Sequence, residues 1–211
     1  MTLVKICGLT QEHDVLRAVE LGAWACGFVL SSSSPRRVAP RRAAELAALC
    51  NGALTVAVVT TETPANIVAT LAESACRAVQ LSAGVHGAGV AEVRAAARAY
   101  GVNPLVIASA DASDASDADL LLLDGRLPGH YGGTGCRADW EAAARLAGCG
   151  RLVLAGGLSP STVAAAIGAV RPYAVDVASG VERSPGRKDA GLLHAFFAAV
   201  HTADRAAETA S

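Results

Sequence analysis

Three side chains able to exchange protons stand at or near the ends of short apolar runs. Cys7 closes the run LVKIC, Asp124 closes DLLLLD, and Asp176 lies inside YAVDVA. In a barrel of alternating strands and helices, side chains at the carboxyl ends of the strands build the active site. The spacing therefore makes these three residues candidates for chemistry, although a cysteine taken alone is more typical of a small buried core residue.

Two glycine-containing segments follow the last two apolar runs. AGGLSP contains Gly156 and Gly157, and ASGVE contains Ser179 and Gly180. The backbone N–H groups of glycine are not shielded by a Cβ, and at a helix N-terminus such groups bind phosphate. Barrels commonly hold phosphate at the last two strand ends. Two such loops in succession favour a phosphate site over plain strand-to-helix turns.

A third glycine-rich loop, with Gly132, Gly133 and Gly135, follows DLLLLD within DGRLPGHYGGTG. It is too long for a minimal turn between a strand and a helix. Its interpretation is either a flexible crossover or a mobile lid that excludes water from the substrate. A nucleotide P-loop is excluded, because Cys136 and Arg137 follow where that motif requires Lys and Ser or Thr.

Eight apolar runs alternate with alanine-rich stretches, and this order predicts the elements that position these residues. The runs are LVKIC, WACGFVL, LTVAVVT, RAVQL, PLVIA, DLLLLD, RLVLA and YAVDVA. Helical patterns separate most of them, while the segment around 111–117 has room for only a turn or two. The alternation predicts a single α/β domain with parallel strands.

A closed (β/α)8 TIM barrel over residues 1–202 is the simplest form of this pattern, and a doubly wound open sheet is the alternative. The last residues, 203–211, show no apolar periodicity and are predicted to be a frayed tail.

Composition and charge exclude several function classes. The chain has 211 residues, 18 basic and 19 acidic side chains and a net charge of −1, which is not the signature of a nucleic-acid binder. No apolar stretch reaches the ~18–20 residues of a membrane span. The six cysteines form no Cys-x-x-Cys pair and the five histidines are widely spaced, so we expect neither disulfides, nor a metal, nor a cofactor, in a cytoplasmic protein.

Six motifs in order, from Lys5 to Asp189, resemble the phosphoribosylanthranilate isomerase family of tryptophan biosynthesis. They are KICGLT, GFV followed by SPRRV, VQL, LLLD followed by GGTG and DW, LAGGLSPSTV, and VDVASGVERSPGRKD. The resemblance implies a (β/α)8 barrel and an Amadori rearrangement of N-(5-phosphoribosyl)anthranilate to 1-(2-carboxyphenylamino)-1-deoxyribulose 5-phosphate. Its partner would be a small phosphorylated substrate, with no nucleic acid and no membrane, and the chain a monomer or homodimer.

The resemblance also implies roles for individual residues. Cys7 matches the general base that removes the C2′ proton, and Asp124 matches the general acid that protonates the ring oxygen. Arg36 matches the contact to the anthranilate carboxylate, and Asp176 either holds a ribose hydroxyl or serves as a buried hydrogen-bonding partner. Strand alternation places Lys5 on the face of Cys7, where we expect it to reach the site as a substrate-binding residue and to favour the thiolate.

Three departures from the family pattern bear on substrate fit. Ser82 and Ala83 stand where the family usually has His-Gly, LSSSS replaces an aromatic stretch, and Cys136 displaces a basic residue after GGTG. A divergent paralogue of secondary metabolism and a related phosphosugar isomerase of the ProFAR type are therefore kept as alternatives. Indole-glycerol-phosphate synthase is disfavoured by Cys7 and the short chain, and a catalytically silent phosphate-binding protein by the retention of both Cys7 and Asp124.

Overall fold

Eight parallel strands close into a barrel in chain order in the computed structural model, which describes residues 1–31, 34–82, 88–112, 114–124, 140–148 and 151–209. The strands are β1 (Leu3–Cys7), β2 (Ala25–Val29), β3 (Leu54–Val59), β4 (Ala78–Leu81), β5 (Leu105–Ser109), β6 (Leu120–Leu123), β7 (Leu152–Leu154) and β8 (Ala174–Val177). Seven of them lie inside the apolar runs, and β5 extends one residue beyond PLVIA. The closed barrel is confirmed over the open sheet, because β1 pairs with β8.

Helices surround the barrel and connect its strands. They are α1 (Glu12–Glu20), α2 (Pro40–Ala47), α3 (Pro64–Ser74), α4 (Val90–Ala99), α5 (Trp140–Ala147), α6 (Val163–Val170) and α7 (Ala190–Thr209). A single 3₁₀ turn, Ala115–Asp117, stands between β5 and β6, where the sequence has room for little more.

The end of the chain differs from the prediction of a frayed tail. Helix α7 continues to Thr209, and Asp204 accepts hydrogen bonds from the backbone N and the hydroxyl of Thr2 at 2.8 and 2.7 Å. Residues 203–209 contain three alanines, one arginine and one glutamate, which are strong helix formers. Their contact with the first residues of the chain joins both termini on one side of the barrel.

Side chains alternate between two apolar layers along every strand. In β1, Val4 and Ile6 face the helices, while Lys5 and Cys7 face the barrel interior. The interior layer combines small residues with branched ones, as a narrow barrel requires. Its buried apolar members include Ala25, Val29, Val56, Val58, Ala78, Ile107, Leu120, Leu122, Val153, Ala155 and Ala174.

A small antiparallel hairpin follows β8 and was not predicted. A short 3₁₀ helix, Ser179–Val181, leads into β9 (Glu182–Ser184), which pairs with β10 (Arg187–Lys188). The turn contains Pro185 and Gly186, whose φ of 76° lies in the left-handed region that glycine adopts without strain. This hairpin brings Glu182 and Lys188 to the carboxyl end of β1.

Candidate active site

Cys7 sits at the carboxyl end of β1, above a buried ion pair in the barrel interior. Lys5 and Asp176 are direct neighbours in the pairing of β1 with β8, and the Lys5 Nζ donates to Asp176 Oδ2 at 2.8 Å. The Lys5 side chain is fully buried and Asp176 is 7% exposed. Because a buried charge needs a partner and good hydrogen bonds, this pair is fixed in place beneath the thiol.

Burial raises the pKa of the Cys7 thiol, and the two neighbouring lysines, Lys5 and Lys188, oppose that rise. For Lys5, burial acts to lower the pKa, but the charges of Asp176 and Cys7 outweigh it and raise the pKa above its ordinary value. Lys5 is therefore an ammonium at neutral pH. The charges of the two lysines limit the rise of the Cys7 pKa, although burial remains the larger effect.

Gly27 of β2 lets Cys7 and Lys5 pack against the neighbouring strand. A Cβ at this position would lie 3.1 Å from the Cys7 Sγ and 3.2 Å from the Lys5 Nζ. Glycine inside a strand often marks such a close approach of other groups. The sequence reasoning missed this residue, although a glycine in the middle of an apolar run was a usable signal.

Arg36 lies beside the carboxyl end of β1 and is held by Glu182 of the hairpin. Its Nε donates to the two Glu182 oxygens at 2.9 and 3.1 Å, and its Nη2 donates to Oε2 at 2.8 Å. The Arg36 stem covers Gly8, where a Cβ would lie 2.6 Å from the Arg36 Cδ. Burial acts to raise the pKa of Glu182, but Arg36 and Lys188 outweigh it and lower that pKa, so the carboxylate is ionised at neutral pH.

Lys188 completes this group of charges from the other side of the hairpin. Its Nζ donates to the Cys7 carbonyl oxygen at 2.6 Å, to the Ala178 carbonyl oxygen at 3.1 Å and to Glu182 Oε1 at 2.8 Å. The whole residue is 2% exposed, and burial lowers the pKa of its amine. Three cations, Lys5, Arg36 and Lys188, thus share two carboxylates around the end of β1.

Asp124 follows the last residue of β6 directly and is half-buried. The alternation of β6 places residue 124 on the same side as Leu122, which belongs to the interior layer. The glycines of the predicted lid, Gly132, Gly133 and Gly135, lie outside the described residues.

The two predicted phosphate loops touch each other at the carboxyl ends of β7 and β8. Gly156 and Gly157 have φ angles of 85° and 65°, so both need the left-handed conformation. A Cβ at Gly180 would clash with the Leu158 carbonyl oxygen. The contact between the two loops therefore requires glycine at position 180, whether or not its backbone N–H group binds a ligand.

Two buried acceptor oxygens in the barrel interior have no hydrogen-bond partner among the described residues: Asp176 Oδ1 and Gln80 Oε1. The Gln80 amide nitrogen donates to the Ser82 hydroxyl at 2.9 Å, which orients the side chain. Buried acceptors are nearly always paired. Both oxygens are thus able to accept hydrogen bonds from a bound molecule. In the part of the chain that the structure describes, no three His, Cys, Asp or Glu side chains cluster in a way that could hold a metal ion.

A family model described as N-(5'phosphoribosyl)anthranilate (PRA) isomerase matches residues 4–199 of the chain. The chain belongs to this isomerase family. A curated N-(5'-phosphoribosyl)anthranilate isomerase from Rubrobacter xylanophilus is 40% identical over 208 residues, which covers 94% of this chain and 98% of the relative. The chain is accordingly an isomerase that acts on phosphoribosylanthranilate in tryptophan biosynthesis.

Solved structures of the family superpose over nearly the whole isomerase chain. The phosphoribosyl anthranilate isomerase from Thermus thermophilus has a TM-score of 0.78 and 35% identity, covering 95% of this chain and 99% of its own. Another, in complex with reduced 1-(o-carboxyphenylamino)-1-deoxyribulose 5-phosphate, has a TM-score of 0.76 and 32% identity, covering 96% of this chain and 100% of its own.

The isomerase structure brings most of the predicted site residues to one end of the barrel. Lys5, Cys7, Arg36 and Asp176 form connected contacts, and Asp124 and the phosphate loops stand at the same carboxyl strand ends. Sequence reasoning missed Gln80, Glu182 and Lys188. The motif VDVASGVERSPGRKD contains the last two, but their roles depend on a hairpin whose signal was only the Pro185-Gly186 turn.

Among the residues that the structure describes, no helix combines the length and the apolar character needed to cross a bilayer.

Proposed function

We propose that this isomerase rearranges its substrate by general acid–base catalysis, with Cys7 as the base and Asp124 as the acid. The observation that carries this proposal is the environment of Cys7, a thiol at the barrel mouth between the cations of Lys5 and Lys188. A thiolate is the form that takes a proton, and the two cations limit the rise that burial causes in the pKa of Cys7. Asp124 stands at a separate strand end, so acid and base approach the substrate from different sides.

The rearrangement proceeds in two proton-transfer steps. Asp124 gives its proton to the furanose ring oxygen as the C1′–O bond breaks, and the anilinic nitrogen lone pair forms the iminium ion. The Cys7 thiolate then removes the C2′ proton, so that the C–H electron pair forms the enolamine double bond and the iminium charge is neutralised. Tautomerisation of the enolamine gives the ketone. No electrons leave the substrate, which is consistent with a reaction that needs no cofactor.

Arg36 is proposed to bind the anthranilate carboxylate. Its pair with Glu182 uses the Nε and one N–H of Nη2, which are two of the five N–H groups of a guanidinium. Of the three remaining N–H groups, one is on Nη2 and two are on Nη1, and one from each nitrogen forms the second bidentate edge that carboxylates recognise. Glu182 therefore orients the guanidinium without occupying its second edge.

Asp176 and Gln80 are proposed to accept hydrogen bonds from the ribose hydroxyls. Each has one buried oxygen that the described residues leave without a donor. Asp176 is anchored through its other oxygen by Lys5, and Gln80 through its amide nitrogen by Ser82. An anchored acceptor loses little side-chain entropy when substrate binds.

The phosphate group is proposed to bind between the loops after β7 and β8, on backbone N–H groups of Gly156, Gly157, Ser179 and Gly180. Hydroxyl groups fix the first loop: the Ser159 backbone N donates to Thr162 Oγ1 at 2.9 Å, and that hydroxyl donates to the Gly157 carbonyl oxygen at 3.1 Å. Helix α6 begins at Val163. N–H groups at a helix N-terminus favour anions, so the start of α6 directly after this loop supports a phosphate site here.

Cellular location and assembly follow as parts of the same proposal. The reaction needs Cys7 as a free thiol, and thiols persist in the reducing cytoplasm. All the side chains used in this mechanism come from one chain, so it operates equally in a monomer or a homodimer.

The direct test of the function is a fluorescence assay with freshly generated phosphoribosylanthranilate. Purified protein should convert it to the ribulose product, followed as a change in anthranilate-derived fluorescence that is faster than spontaneous substrate decay. A protein that gives only the spontaneous rate, while its circular dichroism shows a folded barrel, would contradict the proposed function.

Replacement of Gly180 tests the phosphate site. In Gly180→Ala the added methyl group would meet the Leu158 carbonyl oxygen, so the two loops must separate and their N–H groups diverge. We expect KM to rise tenfold or more, about 1.4 kcal/mol of lost binding, with a smaller change in kcat. Gly168→Ala, whose methyl group meets nothing within 4 Å, is the matched control.

Calorimetry with a product analogue separates binding from turnover in these variants. Gly157→Val, which puts a β-branched residue at a φ of 65°, should also bind the analogue weakly. Undiminished affinity in both Gly157→Val and Gly180→Ala would rule out a phosphate site between these loops.

A further inference from the structure

We propose that Lys188 is a positioning residue of the isomerase, which holds the base Cys7 by its backbone and, through Glu182, holds Arg36 for the substrate carboxylate. This inference rests on the proposed roles of Cys7 and Arg36. It adds a residue that contacts neither the thiol nor the expected substrate, and it explains why a hairpin after β8 carries two buried charges.

The contacts of Lys188 are specific in number and direction. An ammonium group has three N–H donors, and Lys188 directs them to three oxygens: the carbonyls of Cys7 and Ala178 and one oxygen of Glu182. These acceptors belong to the end of β1, the end of β8 and the hairpin. One buried side chain therefore fixes the relative position of three segments that meet at the barrel mouth.

The same contacts continue as a closed ring back to Cys7. Glu182 accepts from Lys188 through Oε1 and from Arg36 through both oxygens. The stem of Arg36 then covers Gly8, the residue that follows Cys7. We call Lys188, Glu182 and Arg36 the clamp. Because the ring closes on the backbone of residues 7 and 8, a shift of Lys188 displaces the base and the carboxylate contact together.

Burial argues that this arrangement has a function other than stability. The side chains of Lys188 and Glu182 are 0% and 4% exposed, and a buried ion pair is often no more stabilising than apolar residues of similar volume. Backbone hydrogen bonds alone could close a tight hairpin here. The charges of the clamp instead serve catalysis: Lys188 places a positive charge near the thiol of Cys7, and Glu182 fixes the guanidinium of Arg36.

Two variants and one control test the proposal with readouts that a purely structural role would not move. Lys188→Met removes the charge and keeps the length of the side chain. Glu182→Gln removes the carboxylate that holds Arg36 and leaves the cations Arg36 and Lys188 in place. Arg42→Met removes an exposed arginine that pairs with Glu12 and Glu45 and serves as the control. Circular dichroism and gel filtration establish which variants are folded.

Alkylation of Cys7 by iodoacetamide as a function of pH is the first readout, quantified by mass spectrometry of the peptide that contains Cys7. In Lys188→Met we expect the pH of half-maximal alkylation to increase by about one unit, because the thiolate loses a neighbouring cation. The kcat should fall at least tenfold. An alkylation profile and a kcat within twofold of those of the parent protein would overturn the proposal.

Glu182→Gln provides the second readout and remains informative if Lys188→Met does not fold. We expect its KM to rise at least tenfold with kcat changed less than threefold, since Arg36 keeps its charge but loses its bidentate anchor. An unchanged KM would overturn the link from Lys188 to Arg36. The alkylation profile needs no turnover, so a parent protein without activity would refute the proposed function and leave the clamp independently testable.

Discussion

Cys7→Ser should turn over phosphoribosylanthranilate at least a hundredfold more slowly than the parent protein. The hydroxyl group keeps the size and position of the thiol but does not form an appreciable amount of anion at neutral pH, so the C2′ proton has no acceptor. A hundredfold loss corresponds to about 2.7 kcal/mol of transition-state stabilisation, within the range of a single general base. Steady-state fluorescence kinetics at saturating substrate measure it.

Cys76→Ser is the matched control for this loss. Cys76 is also a buried free thiol, but it precedes β4 at the opposite end of the barrel. Its replacement should leave kcat within twofold, while Cys7→Ser should retain the circular dichroism of the parent. Parent-like turnover in Cys7→Ser would show that the base is another group.

Asp124→Asn should lower kcat at least a hundredfold and change KM by no more than a few-fold. The amide keeps the size of the carboxyl group but has no acidic proton to give to the ring oxygen, an interaction that matters only as the bond breaks. Measurements of kcat and KM separate this role from binding. A variant with parent-like kcat and a weakened KM would mean that Asp124 only positions the substrate.

The pH dependence of kcat/KM gives the same assignment independently. The parent protein should show a bell, because one proton must be on the acid and none on the base, and its two limbs belong to the pair of groups. In Asp124→Asn, the thiol of Cys7 is the only titrating group left of the proposed acid–base pair. The residual rate should then rise with pH through the pKa of Cys7, which burial raises, and show no alkaline decline. A bell preserved in the variant would contradict the assignment.

Much of the fold was predictable because its causes are local. The runs around β1 to β8 are apolar on both faces, as strands covered by helices require, and short loops restrict consecutive strands to neighbouring positions. The end of α7 was predicted wrongly as a tail. Its contact with Thr2 joins positions 202 residues apart, and no local pattern reveals such a pair.

The candidate site was predictable to the extent that strand geometry fixes it. Alternation places Lys5 and Cys7 on one face, and parallel pairing with β8 brings Asp176 beside Lys5. The partners of Arg36 were not predictable. Glu182 and Lys188 lie in a hairpin that pairs over only a few residues, and nothing in their spacing indicates that both charges are buried against β1.

The closure of β1 on β8 has a consequence for the order of synthesis. Lys5 is translated 171 residues before its partner Asp176, and the Cys7 carbonyl 181 residues before Lys188. Until those residues are made, a lysine that is fully buried in the barrel has no counter-charge, and β1 lacks its neighbour β8. Since domains fold as units during synthesis, the barrel mouth is completed only after residue 188 has been translated.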